Sequence, residues 1–159
     1  MSHKGHFPSV ASIPFFAAVA VALAAVPADA GTKNFMAVLN AGQEVPPITS
    51  SSAIGNAFMT FDTSTSELCY AISYVGLIGN ETATHFHGPA SPGVDAAIVA
   101  GVSPDVSPLG SPKNGCVTLD KDGAKALKKG QLYINVHSDA GPDELGGEIR
   151  GQVVPVKGK

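Results

Sequence analysis

The sequence predicts an all-β protein, an antiparallel Greek-key β-sandwich of about eight strands. Polar and apolar residues alternate with a period of two over Glu67–Val75 and again over Gln131–His137, which is typical of strands with one buried face. Clusters of glycine, proline, serine and asparagine separate the apolar segments at short intervals. This spacing favours a sandwich or a Greek-key barrel over βαβ units.

The predicted elements cover most of the chain after residue 30. Strands are expected at Phe35–Leu39, Ala53–Phe61, Glu67–Val75, Ala83–His87, Ala96–Val102, Cys116–Leu119, Gln131–His137 and Gly147–Val154. One short amphipathic helix is expected at Asp120–Lys129, because its pattern stops at Gly130. The proline-rich segment Ser103–Asn114 is long enough to be a functional loop or a mobile crossover.

The first thirty residues have the features of a cleavable secretory signal. Lys4 precedes an apolar run, Ile13–Val26, that is shorter than the roughly 20 residues of a membrane span. Ala28 and Ala30 supply the small side chains of a cleavage site, so we expect cleavage between Ala30 and Gly31. The alternative is an uncleaved anchor. The chain after residue 30 contains no second run of spanning length, and the protein is expected to be secreted or periplasmic.

Residues 31–159 are expected to form a single domain, with its core at about 34–154. The net charge is −3, and it stays −3 without residues 1–30 because Lys4 and Asp29 cancel. Apart from a cluster at Lys121, Lys125, Lys128 and Lys129, the basic residues are scattered. A nucleic-acid partner is therefore not expected.

The chain has two cysteines, Cys69 and Cys116. In an oxidising compartment a single disulfide is the default for such a pair. A metal site or a redox pair is the alternative, but no C-x-x-C spacing occurs and no histidine lies near either cysteine in sequence.

Three histidines remain after the signal segment: His85, His87 and His137. His85 and His87 are two residues apart on one predicted strand and share a face, and His137 ends another strand. Imidazoles from neighbouring strands are suitable ligands for copper or zinc. Asp139 or Glu148 is expected to complete the coordination shell or to orient a ring. The alternative is that the histidines make structural hydrogen bonds at strand ends.

Catalytic motifs are weaker. Ser138 follows His137 in sequence, which gives no triad geometry, and no G-x-S-x-G elbow occurs. Asp143 and Glu144 lie side by side in a loop and are interpreted as solvated carboxylates. No catalytic residue is predicted. Asn80 begins an N-glycosylation sequon, which matters only where that machinery exists.

Several segments together resemble the CHRD domain, which is named for the repeats of chordin and also occurs in single-domain bacterial exported proteins. The resemblance covers residues 34–154 and is carried by LNAGQEVPP, AIGNA, residues 68–77, THFHGPA, LYINVH and GEIRGQ. The cysteine pair also falls where many bacterial members carry one. One departure is Phe86, which stands where the family usually has an aliphatic residue.

The resemblance implies an all-β sandwich and no agreed enzymatic activity. His85, His87 and His137 match recurrent histidines of the family, while Glu148 and Arg150 match its closing motif. We expect Glu148, Arg150 and Asn135 to support the histidine region. On the last strand Glu148 and Arg150 share a face, where they pair with each other or with charges across the sheet. Chordin antagonises bone morphogenetic proteins outside the cell, but a single copy does not inherit that partner.

The leading hypothesis is an exported, non-catalytic binding or structural module with copper or zinc at the three histidines. The first alternative is a metalloenzyme of superoxide-dismutase type, because those enzymes also use H-x-H on a Greek-key strand, although this chain lacks their fuller histidine set. The second is a cell-surface domain that contacts a protein or polysaccharide through Ser103–Asn114 or a sheet face.

Overall fold

The computed structural model describes residues 31–102, 110–140 and 146–157. The predicted signal segment, residues 103–109 of the predicted contact loop, and the loop carboxylates Asp143 and Glu144 lie outside the described residues. Every strand pairing within them is antiparallel, which confirms the all-β prediction. None of the helices in this part of the chain has the length and apolar character needed to cross a bilayer.

Nine strands and one α-helix make up the described fold. In chain order they are β1 Thr32–Asn40, β2 Ile54–Asp62, β3 Glu67–Val75, β4 Glu81–His87, β5 Ile98–Gly101, β6 Lys113–Thr118, α1 Lys121–Lys128, β7 Tyr133–Ser138, β8 Gly147–Gln152 and β9 Val154–Pro155. A 3-10 turn, Ala41–Gln43, follows β1. The predicted last strand is two strands in the structure. The first, β8, ends at Gln152, and the second, β9, pairs with Phe35 and Met36 of β1. Lys113 and Asn114, predicted as loop, begin β6.

The strands form one hydrogen-bonded sheet in the order β5-β4-β7-β8-β1-β2-β3-β6, with β9 beside β1. The sheet curls so that its two ends pack together. Tyr70 on β3 contacts Phe86 on β4 with ring centroids 5.8 Å apart, and the buried Lys113 Nζ on β6 lies 2.9 Å from Glu81 Oε1 on β4. The two layers of the predicted sandwich are therefore parts of one nearly closed sheet.

The apolar core fills the inside of this curled sheet. On β3 the residues Leu68, Ile72 and Tyr74 are buried while Ser73 is exposed, as the alternation predicts. Helix α1 begins where the Asp120 carboxylate accepts a hydrogen bond from Gly123 N at 2.7 Å, a standard N-cap. It packs its apolar side against the core through Ala124, Ala126 and Leu127, which confirms the predicted helix.

Strand β7 differs from the half-buried strand that its alternation predicts, because both of its faces are buried. Its second face carries Tyr133, Asn135 and His137, which are 2, 7 and 9% exposed. Two connecting segments supply the contacts there: Glu44, after β1, bonds to Asn135, and Ala96, before β5, bonds to Tyr133. Period-two alternation predicts which residues share a face, but not whether a loop covers that face.

Cys69 and Cys116 form the predicted disulfide, with an S–S distance of 2.06 Å. The two residues are direct partners in the β3–β6 register. Both sulfurs are used in the bond, so neither is a free thiolate that could bind a metal in this structure. The bridge ties the edge strand β6 to β3.

We predict that the double substitution Cys69→Ala/Cys116→Ala lowers the free energy of unfolding by about 2–4 kcal/mol, because the bridge spans 47 residues and restricts the unfolded chain. Urea unfolding followed by circular dichroism measures the difference. Ala71→Ser, an exposed change on the same face of β3, serves as the control and leaves stability unchanged. Equal stability of the double variant and the parent would contradict the prediction.

Candidate metal centre

The three imidazoles meet on one face of the sheet. His85 and His87 come from β4, and His137 comes from the adjacent β7, where it pairs in register with Ala83. The ring centroids are 5.7 Å apart for His85 and His87, 5.1 Å for His85 and His137, and 5.7 Å for His87 and His137. One ring nitrogen from each residue lies within 4.8 Å of the others. The structure thus brings the predicted histidines together.

A cleft of about 520 Å³ leads to the cluster. His87 and His137 are only 8 and 9% exposed, whereas His85 is half-buried. Besides the histidines, the cleft is lined by small or apolar residues, Thr82, Ala83, Ala96, Ala97 and Ile98. Small ligands can therefore reach the nitrogens from solvent, while the protein holds two of the three rings in its interior.

His87 is held as a neutral imidazole. Burial lowers its pKa to about 4; the hydrogen bond to the Ala96 carbonyl opposes this shift, while His137, His85 and Arg150 add to it. A carbonyl oxygen only accepts, so His87 Nδ1, 3.0 Å from Ala96 O, donates the proton. The lone pair of Nε2 is then free of a proton. Within the described chain, no group makes a hydrogen bond to this buried nitrogen.

The ring of His87 is part of a three-layer stack. It lies parallel to Tyr133, with an interplanar angle of 9° and centroids 5.0 Å apart. The guanidinium carbon of Arg150 lies over the Tyr133 ring, 3.5 Å from its centroid. The Tyr133 hydroxyl accepts a hydrogen bond from Ala96 N at 3.1 Å. Because Ala96 O also binds His87, one backbone unit fixes both rings of the stack.

Arg150 pairs with Asp95 rather than with Glu148. Its Nη1 lies 3.0 Å from Asp95 Oδ1, and its Nη2 donates to Val94 O at 2.7 Å. The guanidinium is almost completely buried, whereas Asp95 is largely exposed. The sequence left the partner of Arg150 open, and the partner lies in the segment between β4 and β5.

Glu148 and Asp139 do not join the histidine group, which corrects the expectation that one of them completes the shell. Glu148 accepts hydrogen bonds from the Ser51 and Ser138 hydroxyls and from Ile78 N. Burial raises the pKa of Glu148, but these hydrogen bonds outweigh it and the net pKa is lowered. Asp139 accepts from Asn80 N at 2.8 Å. Both carboxylates are used to fasten loops beside the site.

Asn135 lies between the histidines and a buried acid that the sequence reasoning missed. Its Nδ2 donates to Glu44 Oε2 at 3.4 Å, and it pairs across the sheet with His85 and with Arg150. Gly147 makes room for this amide, because a Cβ there would lie 1.9 Å from Asn135 Oδ1. This contact explains the first glycine of GEIRGQ.

Four contributors to the site were not predicted: Glu44, Asp95, Ala96 and Tyr133. Glu44 and Tyr133 stand in the quoted segments LNAGQEVPP and LYINVH, so a signal existed for them. Asp95 and Ala96 belong to an irregular segment and act through a surface carboxylate and through backbone atoms, for which one sequence carries no signal.

The raised pKa of Glu44 makes the stability of the fold depend on pH. Burial raises its pKa from 4.5 to about 7, while Arg150 and Asn135 lower it and Asp95 raises it slightly. The folded state therefore holds this proton more tightly than the unfolded chain. The resulting stability is complete below the unfolded pKa and is lost as the pH rises through about 7. As the pH rises from about 5 to about 8, we therefore expect the free energy of unfolding of Glu44→Gln to fall less than that of the parent.

Urea unfolding of both proteins across this pH range measures the effect. All other titrating groups are shared, so the difference between the two curves isolates Glu44. Asp62→Asn, which alters a carboxylate at the exposed end of β2, is the matched control and should not reproduce the flattening. Parallel curves for Glu44→Gln and the parent would contradict the prediction.

Comparison with protein families identifies the CHRD domain. The family model of the CHRD domain matches residues 35–153, from Phe35 within β1 to Val153 between β8 and β9. Comparisons with curated proteins and with solved structures find no match. The matched range contains the histidine cluster, the disulfide and the Arg150 stack, and it covers most of the chain. The chain belongs to the CHRD domain family.

Proposed function

We propose that the protein is an exported, non-catalytic CHRD-domain module that binds one copper or zinc ion through His85, His87 and His137. The observation that carries the metal site is the convergence of one nitrogen from each ring within 4.8 Å. Two of these rings are buried, so the cluster belongs to the folded interior and is not a chance meeting of surface side chains.

The state of His87 favours a metal over a purely structural role. A buried polar nitrogen without a partner costs free energy, and Nε2 of His87 is such an atom within the described chain. Its other nitrogen is bound to the Ala96 carbonyl, which is how proteins commonly orient a histidine ligand. The depressed pKa keeps the ring neutral, and only neutral imidazole donates its lone pair to a metal.

The donor set favours copper or zinc over calcium or magnesium. Imidazole nitrogen suits the former pair, whereas the latter require oxygen ligands. Metal–nitrogen bonds of about 2.0–2.1 Å hold ligand nitrogens within roughly 4 Å of one another. The three nitrogens already lie within 4.8 Å, so at most a small movement of the rings is needed on binding. The positive charge of Arg150 lies near, but Asp95 compensates it.

We predict that the purified, metal-free protein binds one equivalent of Cu²⁺ or Zn²⁺ and that His87→Ala weakens this binding by more than about 100-fold, because a ligand is lost. Competition titration with a chelating dye gives the affinity, and elemental analysis gives the stoichiometry.

Tyr133→Leu, which removes the ring beneath His87, should weaken metal binding by about 10–100-fold. Tyr133→Phe, which keeps the ring, should weaken it by less.

The control is Asp122→Ala, because this exposed carboxylate of α1 remains in the mature chain and lies outside the histidine cluster. That variant should retain the site. No stoichiometric metal in the parent, or equal losses of affinity in Asp122→Ala and His87→Ala, would refute the metal site. Dismutase activity above that of free copper would refute the non-catalytic part.

Export rests on different observations. The disulfide between Cys69 and Cys116 is of a kind that persists in oxidising compartments, and the apolar run at Ile13–Val26 has the length of a signal core.

We predict that the full chain, expressed in a bacterium with a periplasm, is recovered outside the cytoplasm with Gly31 as its first residue. Intact-mass measurement of the fractions tests this. Ala28→Arg/Ala30→Arg should block processing, and an unprocessed cytoplasmic parent protein would contradict export.

A further inference from the structure

A second part of the sheet, away from the histidines, exposes a face without charge. Apart from Thr32, Asp62 and Glu67 at one end of the strands, the residues of β1, β2 and β3 that alternate with the core residues form what we call the uncharged face. They are Asn34, Met36, Val38, Asn40, Ile54, Asn56, Phe58, Thr60, Cys69, Ala71, Ser73 and Val75. None of them is ionisable, since Cys69 is in the disulfide. Most are exposed, and the others are partly exposed.

Large apolar side chains dominate this face. Val38, Ile54, Phe58 and Val75 are 57, 59, 60 and 68% exposed. Ile54 pairs with Val75. Val38 pairs with Asn56 and is therefore the diagonal neighbour of both Ile54 and Phe58, which connects the four side chains. Scattered apolar residues are normal on a protein surface, but a contiguous patch on a regular sheet is typical of an interaction site.

We propose that the uncharged face is the surface through which two copies of this chain associate, sheet against sheet about a two-fold axis. A two-fold axis places the same patch on both sides of the interface, so any charge near the axis faces its like. A face without charges avoids that repulsion. A partner recognised by opposite charge would find nothing complementary there.

The size of the face agrees with a dimer. The nine-residue strands β1, β2 and β3, with the six-residue β6 beside β3, give roughly 540 Å² of flat area at about 3.4 Å per residue and about 4.8 Å between strands. Side chains that project from the sheet increase the accessible area above this flat value. A standard interface buries about 800 Å² per partner. Small residues such as Ala71 and Ser73 lie beside Phe58 and Val75, so large side chains of one copy can insert opposite small ones of the other.

Other occupants fit less well. Phe58 is the sole aromatic residue of the uncharged face, so a polysaccharide would lack a row of rings on which to stack. The face ends at the paired carboxylates Asp62 and Glu67, which would repel an anionic membrane. In a two-fold dimer these acids lie at the periphery, where water screens them.

Sedimentation velocity of the purified protein from about 1 to about 100 µM, with chelator present, tests the proposal. We expect a concentration-dependent dimer. Phe58→Glu should weaken dimerisation at least about 10-fold, because like charges then meet across the axis. Val94→Glu is the matched control, since Val94 is apolar and 53% exposed but outside the face, and it should dimerise as the parent does. His87→Ala should also dimerise normally, which separates this proposal from the metal site.

Thermal unfolding shows whether Phe58→Glu is folded, and Val38→Asn supplies a second, neutral variant that should weaken the dimer without adding charge. A parent protein that sediments as a monomer over the whole range would overturn the proposal. Equal weakening by Phe58→Glu and Val94→Glu would overturn it too. So would a monomer that pellets with insoluble polysaccharide or with phosphatidylglycerol vesicles in a Phe58-dependent way.

Discussion

The candidate metal centre depends on the burial of one charge, the guanidinium of Arg150. Taking an ion out of water costs several kcal/mol unless other groups replace the water. Here the ring of Tyr133 covers one side of the guanidinium, and Asp95 and the Val94 carbonyl accept its hydrogen bonds. These partners belong to β7 and to the segment before β5, and the same two pieces of chain hold His87. Compensating the charge therefore also orders the site.

Arginine suits this position better than lysine would. Its planar guanidinium lies flat on an aromatic ring while its edge donates hydrogen bonds in fixed directions. Tyr133 lies between Arg150 and His87, and its hydroxyl is hydrogen-bonded to Ala96. The stack therefore restricts the position of the His87 ring. The pKa of His87 is low for a related reason, since burial and the nearby cation both disfavour a protonated ring.

Connection lengths divide the outer surface of the sheet into two parts. The long connections at 41–53 and 88–97 fold over β7 and β8, and they bring Glu44 and Asp95 onto a polar layer that is consequently buried. Between β2 and β3 the connection is a tight turn, fastened by the Asp62 carboxylate through Ser64 N at 2.7 Å. A tight turn covers nothing, so β1, β2 and β3 keep an open outer face. One part is covered by its own loops and the other stays open to solvent.

The sequence by itself determined the class of fold, most strand positions, the helix and the shared face of His85 and His87, because periodicity and turn residues act locally along the chain. The cysteine pairing was the default for a chain with two cysteines. Only the tertiary structure decided that His137 meets the other two and that Arg150 pairs with Asp95. It also decided that Lys113 is a buried strand residue paired with Glu81. These outcomes depend on which strands become neighbours and which loops cover them, and period-two alternation describes the two faces of one strand without specifying what lies against either.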